Sequence, residues 1–300
     1  MKLAHLFLAL LITAVWGFNF VAIKAGLEEI PPILLCAIRF FLTSVPFILF
    51  IKRPISSFKL VVLYGLVMFA MQFCLLFIGM YAGVTAGLAA ILLQIQVLFT
   101  VLLALLFFKE KLTKWQILGG LLSCSGIALV GMNLEGDLTL LGFLLVITAA
   151  AFWGTGSAIA KKIGKINVIE LVVWGSLVAW PPLLLVSLLV EGAAQITSSL
   201  HNISWLSVAS VLYITGASTI LGFSVWNFLI HRYPLSTMAP FLLLVPVFAM
   251  LGSALTLGEE LQLWKVISGV LVIAGLGLNF FAQHFLSKRK SKEDDFVKEV

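Results

Sequence analysis

The chain has 300 residues, of which 62% are hydrophobic and only 11% are charged, and its formal net charge is +6. A soluble protein devotes about 25% of its residues to charged side chains, so this composition excludes a soluble globular domain and makes lipid the solvent. The positive charge does not indicate a nucleic-acid partner, because the basic residues stand in short clusters between apolar stretches, as determinants of membrane orientation do.

Apolar stretches follow one another along the chain, separated by charges, prolines and glycines. Each has about 20 residues, the length that crosses the roughly 30 Å hydrocarbon layer as an α-helix. They are too long and too uniformly apolar for the strands of a transmembrane barrel. The first lacks a small-x-small cleavage site, so we expect a retained helix rather than a signal peptide. The sequence therefore predicts an all-α membrane protein with ten spans at 3–24, 32–51, 59–80, 85–107, 115–133, 138–160, 168–190, 205–230, 236–257 and 264–286.

The distribution of lysine and arginine sets the predicted orientation. With the N-terminus in the cytoplasm, all of the 19 basic residues except Lys24, Arg39 and Lys265 fall at inner loops or in the charged tail 288–300. An excess of basic residues marks the cytoplasmic side of membrane proteins, so both termini are expected inside. The predicted outer loops instead contain acidic residues: Glu28, Glu29, Glu135, Asp137, Glu191, Glu259 and Glu260.

Two sets of matching residues show that the chain contains an internal repeat. Residues 14–17, Ala-Val-Trp-Gly, return as residues 151–154, Ala-Phe-Trp-Gly, and Lys24 returns as Lys161, at a shift of 137. The second set matches at a shift of 149. It pairs Glu110, Trp115, Gly120 and Gly126 with Glu259, Trp264, Gly269 and Gly275. We therefore predict two related units of five helices each, at residues 1–134 and 135–287.

An odd number of helices in each unit makes the second unit enter the membrane from the opposite side. Lys24 is then expected near the outer face and Lys161 near the inner face. Inverted repeats of this kind are typical of carriers that open a central site alternately to each side of the membrane. An integral-membrane enzyme would need catalytic groups clustered at one face, and a scaffold gains nothing from such symmetry, so both are minor alternatives.

Polar side chains at mid-membrane depth mark the candidate binding site, because they are costly in lipid and usually face a cavity or a neighbouring helix. Trp16 and Asn19 lie one turn apart on the first predicted helix. They offer a stacking surface and an amide to a zwitterion, although Asn19 would serve equally in a hydrogen bond between helices. Trp153 repeats Trp16 and is expected to form the opposite wall of the same cavity.

Three glutamines lie inside predicted spans. Gln72 is midway along the third span, and Gln94 and Gln96 are in the middle of the fourth. Residues two positions apart point about 200° apart on an α-helix, so Gln94 and Gln96 are not expected to face one cavity. Gln94 shares a face with small residues and is the one expected at the site, together with Gln72.

Arg39 is the one arginine expected in the interior of a span. Its charge cannot be lost, so it needs an acidic partner, water or a substrate carboxylate. Either Glu28 or Glu29 pairs with it from the outer loop, or it attracts the carboxylate of an amino acid.

Lys24 and Lys161 are expected either to extend from the helix ends to the membrane surface or to act as a matched pair of gates. Pro240 and Pro246 fall inside the ninth predicted helix, where each removes a backbone hydrogen bond. The resulting kink is either a hinge beside the cavity or a feature of packing.

The sequence indicates neither catalysis nor a cofactor. Cys36, Cys74 and Cys124 lie in apolar runs without the spacing of metal ligands, as buried small hydrophobic residues do. It contains no nucleotide-binding loop and no Ser/His/Asp arrangement. The expected partners are a small-molecule substrate and the lipid bilayer, with no metal and no nucleic acid, and the chain is expected to be a monomer or a homodimer.

Several motifs, in their order and spacing, resemble the EamA family of the drug/metabolite transporter superfamily. They are residues 16–20 with Lys24, Pro31-Pro32 with Arg39-Phe40, residues 86–89 leading into Gln94, residues 110–112, Ala239-Pro240 with residues 244–247, and residues 258–261. The resemblance covers residues 3 to 286 and implies ten-helix carriers. Residues 93–96 and 243–247 are similar to members that export cysteine and O-acetylserine, which implies export of small amino acids across the inner membrane. A broader drug exporter and an amino-acid importer are the alternatives within the superfamily.

Overall fold

The structure is a computed structural model that describes residues 1–54, 57–108, 113–134, 138–164, 167–233 and 235–278. Within these ranges all regular structure is helical. The tail 288–300, Glu110, Glu135 and Asp137, for which the sequence makes predictions, lie outside the described residues. In chain order the helices are α1 Leu3–Gly26, α2 Pro32–Ser44, α3 Phe58–Tyr81, α4 Ala86–Leu93, α5 Gln96–Phe108, α6 Lys114–Met132, α7 Leu140–Ile163, α8 Val168–Val190, α9 Ala193–His201, α10 Trp205–Ile230, α11 Leu235–Leu242, α12 Val245–Leu257 and α13 Leu263–Leu278.

Eight helical stretches in the described part of the chain are long and apolar enough to cross a membrane. The stretches Pro32–Ser44 and Leu263–Leu278 are apolar but shorter. The predicted second span, 32–51, was wrong at its end, because α2 stops at Ser44 and turns follow. Pro46 explains the difference, since proline has no backbone N–H and cannot donate the helical hydrogen bond to the carbonyl four residues back.

Two predicted spans are interrupted in the middle. The fourth breaks at Gln94 and Ile95, whose backbone N–H groups bond three residues back, to Ile91 O (3.1 Å) and Leu92 O (3.2 Å). The ninth breaks in the same way 149 residues later, between α11 and α12, where Leu243 bonds to Pro240 O (3.2 Å). The expectation of a continuous fourth helix was therefore wrong, whereas the break in the ninth helix lies between Pro240 and Pro246, where a kink was predicted. Only the second break has a local cause in the sequence, since Pro246 cannot donate a backbone hydrogen bond.

The two halves of the chain make equivalent contacts. A Cβ atom on Gly17 would lie 2.9 Å from the backbone nitrogen of Ala249, and one on Gly154 would lie 3.0 Å from that of Thr100. The glycines are related by the shift of 137 and their partners by the shift of 149. The first helix of each half thus packs against the broken helix of the other half, and glycine permits the close approach because it has no side chain.

The bundle has two ends. The glutamate end, as we name it, contains the loops 27–31, 82–85, 191–204 and 258–262. The N-terminal end contains Lys2, Tyr233 and the residues after α2. Lys2 N donates to Tyr233 Oη (3.2 Å), which joins the start of α1 to the segment after α10. Trp174 Nε1 donates to Lys52 O (3.1 Å), which joins α8 to the segment after α2.

Three carboxylates hold helix starts in place at the glutamate end. Glu191, at the end of α8, accepts hydrogen bonds from Ile33 N (2.7 Å) and Leu34 N (3.0 Å) at the start of α2. Glu259 accepts one from Ala86 N (2.8 Å) at the start of α4, and Glu29 accepts one from Ser204 N (2.8 Å) beside the start of α10. Each bond satisfies free N–H groups at a helix N-terminus, where negative charge is favourable. Each also connects one half of the chain to the other.

Candidate functional site

A cavity of about 230 Å³ lies between the two halves. Helices α1 to α5 contribute residues from the first half, and α7, α10, α11 and α12 contribute residues from the second. Its wall is mainly aromatic and aliphatic, with Asn19, Gln94, Gln96 and Ser218 as polar lining residues and Arg39 as the only charged one among the residues that the structure describes. A mostly apolar cavity with a few converging polar groups is the usual form of a small-molecule site.

Arg39 is buried, with 3% of its surface exposed, and no acidic side chain in the described part of the chain bonds to it. One guanidinium nitrogen, Nη2, donates to Thr219 Oγ1 (3.0 Å), while Nε and Nη1 have no hydrogen-bond partner among the described residues. The guanidinium carbon lies 4.3 Å from the centre of the Phe73 ring. The expected pairing with an outer-loop glutamate is not present, since the Glu29 carboxylate bonds to Ser204 and Ser207 instead.

Those two bonds also affect the titration of Glu29. The backbone N–H of Ser204 and the hydroxyl of Ser207 lower the pKa of its carboxyl below the usual value. The group therefore stays ionised and keeps its contact with α10 under mildly acidic conditions.

Trp16 is fixed against α10. Its Nε1 donates to Ser218 O (3.0 Å), and its ring lies 5.3 Å from the Trp226 ring and 5.7 Å from the Phe223 ring. On the other side of the cavity, Trp153 lies 6.4 Å from Phe73. The two tryptophans of the repeat thus each stand beside a phenylalanine of the opposite half, and all of these rings line the cavity.

The break between α4 and α5 places both Gln94 and Gln96 in the cavity wall. The sequence prediction that only one of them could face the cavity was wrong, because the 200° separation holds only for a continuous helix. Gln94 Nε2 reaches Leu242 O at 3.5 Å, across the cavity at the end of α11. The carbonyl of Leu242 receives no helical hydrogen bond from four residues later, because that residue is Pro246, which has no backbone N–H.

Asn19 is 7% exposed, and its side-chain oxygen has no hydrogen-bond partner among the described residues. A buried amide oxygen without a donor is costly, and this one belongs to a residue of the cavity wall. The alternative role in a bond between helices is not seen at this oxygen.

Gln72 lies outside the cavity wall. It is fully buried at the end of the π-helical segment Gly65–Met71 in α3, and neither side-chain atom has a partner among the described residues. Its neighbour Phe73 lines the cavity. Sequence reasoning chose the polar residue of the pair, whereas the structure brings the aromatic one to the cavity.

The four candidate gate and hinge residues also lie away from the cavity wall. Lys24 Nζ donates to Met80 O (3.0 Å) at the glutamate end. Lys161 is in the last turn of α7, which starts beside Ala82 and, at 24 residues, extends about 36 Å to the other end of the bundle. Pro240 is inside α11 and Pro246 starts α12, so the two flank the break.

The sequence analysis did not select Phe73, Phe223 and Trp226 as site residues. Aromatic residues are as common on lipid-facing surfaces as in cavities, so their type gives no signal. No group of three or more potential metal ligands occurs in the described ranges.

Comparison with known proteins places the chain among transporters. A model of the EamA-like transporter family matches residues 3–132 and again residues 140–281. A Salmonella typhimurium protein named "Probable amino-acid metabolite efflux pump" is 41% identical, with 92% of this chain and 94% of that protein covered. An Escherichia coli protein of the same name is 38% identical over 91% and 94%.

A solved structure titled "Crystal structure of protein" superposes with a TM-score of 0.65 and 17% sequence identity. The match covers 93% of this chain and 96% of the other. At that identity the likeness shows the fold alone.

Proposed function

The chain belongs to the EamA-like transporter family, and from that membership we propose that it exports small amino acids and related metabolites, such as cysteine and O-acetylserine, across the inner membrane. It is a multi-pass membrane transporter and not an enzyme. The relatives at 41% and 38% identity are named as amino-acid metabolite efflux pumps, which supports this substrate class.

One observation carries the proposal: the cavity wall has unmet donors and an unmet acceptor. Arg39 Nε and Nη1 have no acceptor, and Asn19 Oδ1 has no donor, among the described residues. Such groups are costly in a low-dielectric interior unless a ligand completes them. A ligand that does so must bring both an acceptor and a donor. The carboxylate and ammonium of an α-amino acid provide these two groups.

The other candidate residues take supporting roles in this proposal. The Arg39 guanidinium binds the substrate carboxylate through bidentate hydrogen bonds, a geometry that lysine cannot reproduce. Trp16 and Trp153 form the walls, and their ring faces attract an ammonium. Gln94 binds at the helix break, and Gln72 supports the site from behind Phe73.

The size of the cavity favours small substrates over drugs. Sites for drug-sized ligands have volumes of about 300–1,000 Å³, and this cavity has about 230 Å³. A small amino acid fits such a volume. The alternatives within the superfamily are an amino-acid importer and a broader drug exporter, and the experiment below separates the drug exporter from a carrier of small amino acids.

We propose ten membrane-spanning helices with both termini in the cytoplasm, so that the glutamate end faces outward. All residues from Ala86 to Leu93 are buried above the cavity, whereas Phe223, Trp226 and Leu242 below it are half-buried. The cavity then opens to the cytoplasm in this conformation. Export follows when the two halves exchange conformations, with Pro240 and Pro246 as the hinge and Lys24 and Lys161 as gate residues at opposite ends.

Counterflow in proteoliposomes tests the proposal, because it detects a carrier in either orientation. Proteoliposomes that contain the purified chain are loaded with unlabelled substrate. They are then offered labelled cysteine, O-acetylserine, threonine or a cationic dye. We expect accumulation of the amino acids and none of the dye. Arg39→Met should reduce it at least about tenfold, the loss expected for a charged hydrogen bond, while Arg232→Met, an exposed matched control, should leave it unchanged. Accumulation of the dye alone, or full activity of Arg39→Met, contradicts the proposal.

A further inference from the structure

An aromatic layer closes the cavity on the side of the glutamate end. Phe77 is fully buried, and its ring lies 6.2 Å from the ring of Phe73 in an edge-to-face arrangement. The Phe40 ring packs 5.4 Å from Phe73 on the other side. Edge-to-face rings at such distances attract one another. This layer of buried rings lies between the cavity and the glutamate end.

The repeat places a second aromatic layer on the opposite side. Phe77 and Trp226 are 149 positions apart, the shift that also relates the two helix breaks. The ring of Trp16 lies 5.3 Å from the ring of Trp226 and 5.7 Å from the ring of Phe223. Unlike Phe77, Trp226 is half-buried and lines the cavity. The two layers therefore correspond at one position, Phe77 and Trp226, and the ring of Trp226 is the less buried of the two.

Within the second layer, Trp16 is anchored and Trp226 is not. Trp16 Nε1 is bonded to Ser218 O (3.0 Å), and its ring lies against the bare backbone of Gly222, where a Cβ would come within 2.7 Å of that nitrogen. Trp226 makes no hydrogen bond within the described residues and packs against a separate cluster of only three buried residues, Ala9, Leu229 and Met238. Of the two rings, Trp226 is the one that is free to move.

We propose that Trp226 is the gate and the size filter on the N-terminal side of the cavity, and that Phe77 is its counterpart on the other side. The proposal rests on the proposed function. When an inverted repeat changes state, each half takes the conformation of the other, so Trp226 closes as Phe77 opens. Because indole is larger than a phenyl ring, the opening beside Trp226 admits only small side chains.

Substrate competition tests the size filter. Labelled O-acetylserine counterflow is measured in proteoliposomes with phenylalanine as competitor. We expect Trp226→Ala to improve inhibition by phenylalanine at least about tenfold relative to inhibition by unlabelled threonine, a discrimination typical of a steric pocket wall. Trp226→Phe, which keeps a ring, should shift the ratio less. Trp205→Ala, on the same helix but 79% exposed, is the matched control and should leave the ratio unchanged.

A second readout needs no substrate and separates the gate from the proposed function. A cysteine at Ala90, a buried residue of the cavity wall, is labelled with a membrane-impermeant thiol reagent after Cys36, Cys74 and Cys124 are replaced by alanine. Trp226→Ala should speed labelling from the N-terminal side by several-fold, and Trp205→Ala should not. Equal labelling rates together with an unchanged competition ratio overturn the gate. Faster labelling without transport of any amino acid preserves the gate and overturns the substrate class.

Discussion

The glutamate end and the N-terminal end of the bundle are built from related segments, yet the two ends are packed differently. The large hydrophobic core includes Ile23, Leu35 and Phe77 on the glutamate side and extends to Tyr64 and Val172 on the other, and three carboxylates bridge the halves at the glutamate end. Beside Trp226, the N-terminal end has a separate cluster of three buried residues among those described, and it exposes apolar side chains such as Leu49 and Phe50. A repeat therefore supplies two equivalent gates, but local differences decide which one is shut.

The sequence shows where one such difference arises. At a shift of 137, the positions equivalent to Glu29 and Glu191 are Ile166 and Pro54. Neither residue can offer a carboxylate to a helix N-terminus. Two of the three contacts that close the glutamate end thus have no possible acidic equivalent at the other end. The inequality between the ends follows from a few loop residues, on a scaffold that is otherwise symmetric.

The largest expected effect compares the two equivalent aromatic positions. Phe77→Ala should destabilise the protein by about 3–5 kcal/mol, because it empties a packed site. Trp226→Ala should cost less than about 2 kcal/mol, because its ring is already half-exposed. Thermal unfolding in detergent measures both. Equal losses would mean that the two ends are packed alike and that the comparison is wrong.

A carboxylate contact should have a smaller effect. Glu259→Gln keeps the shape of the side chain but removes its charge from the start of α4, which should weaken the closed glutamate end by about 1 kcal/mol. The adjacent, exposed Glu260→Gln serves as control. Labelling of a cysteine at Ala90 from the glutamate side should rise several-fold in the first variant only. A rise in both variants would assign the effect to loop charge rather than to the helix contact.

Neighbouring glutamates in the first loop give a finer comparison. Glu29→Gln loses the charge that accepts bonds from Ser204 and Ser207, and Glu28→Gln changes an exposed side chain. We expect a small fall in Tm for the first variant and none for the second, as thermal unfolding at neutral pH would report. If Glu28→Gln lowers Tm as much, the contact with α10 is not what stabilises this loop.

Acid should produce the smallest effect. The pKa of Glu29 is lowered in the folded protein, so its contribution is present above the ordinary carboxyl pKa of about 4.3 and is lost as the pH falls through the lower folded value. The difference in Tm between wild type and Glu29→Gln should therefore persist at pH 5 and vanish only in stronger acid. Its loss near pH 6 would contradict this assignment.

The general arrangement of helices could be predicted from hydropathy, because lipid requires long apolar helices with internal hydrogen bonds. The break at Gln94 could not be predicted, since no proline or glycine marks it. It is visible only once α4 and α5 are seen against α11. For the site, rare polar types directed attention to Arg39, Asn19 and Gln94. The aromatic wall was missed because the same rings also suit a lipid-facing surface.

The most direct test of the whole account is sided labelling of the cysteine at Ala90 in membrane vesicles of known orientation, with and without O-acetylserine. The account predicts labelling from the cytoplasmic side, little from the outer side, and slower labelling when O-acetylserine occupies the cavity. Labelling from the outer side alone, or a rate indifferent to O-acetylserine, would contradict a cytoplasm-facing amino-acid site between the two halves.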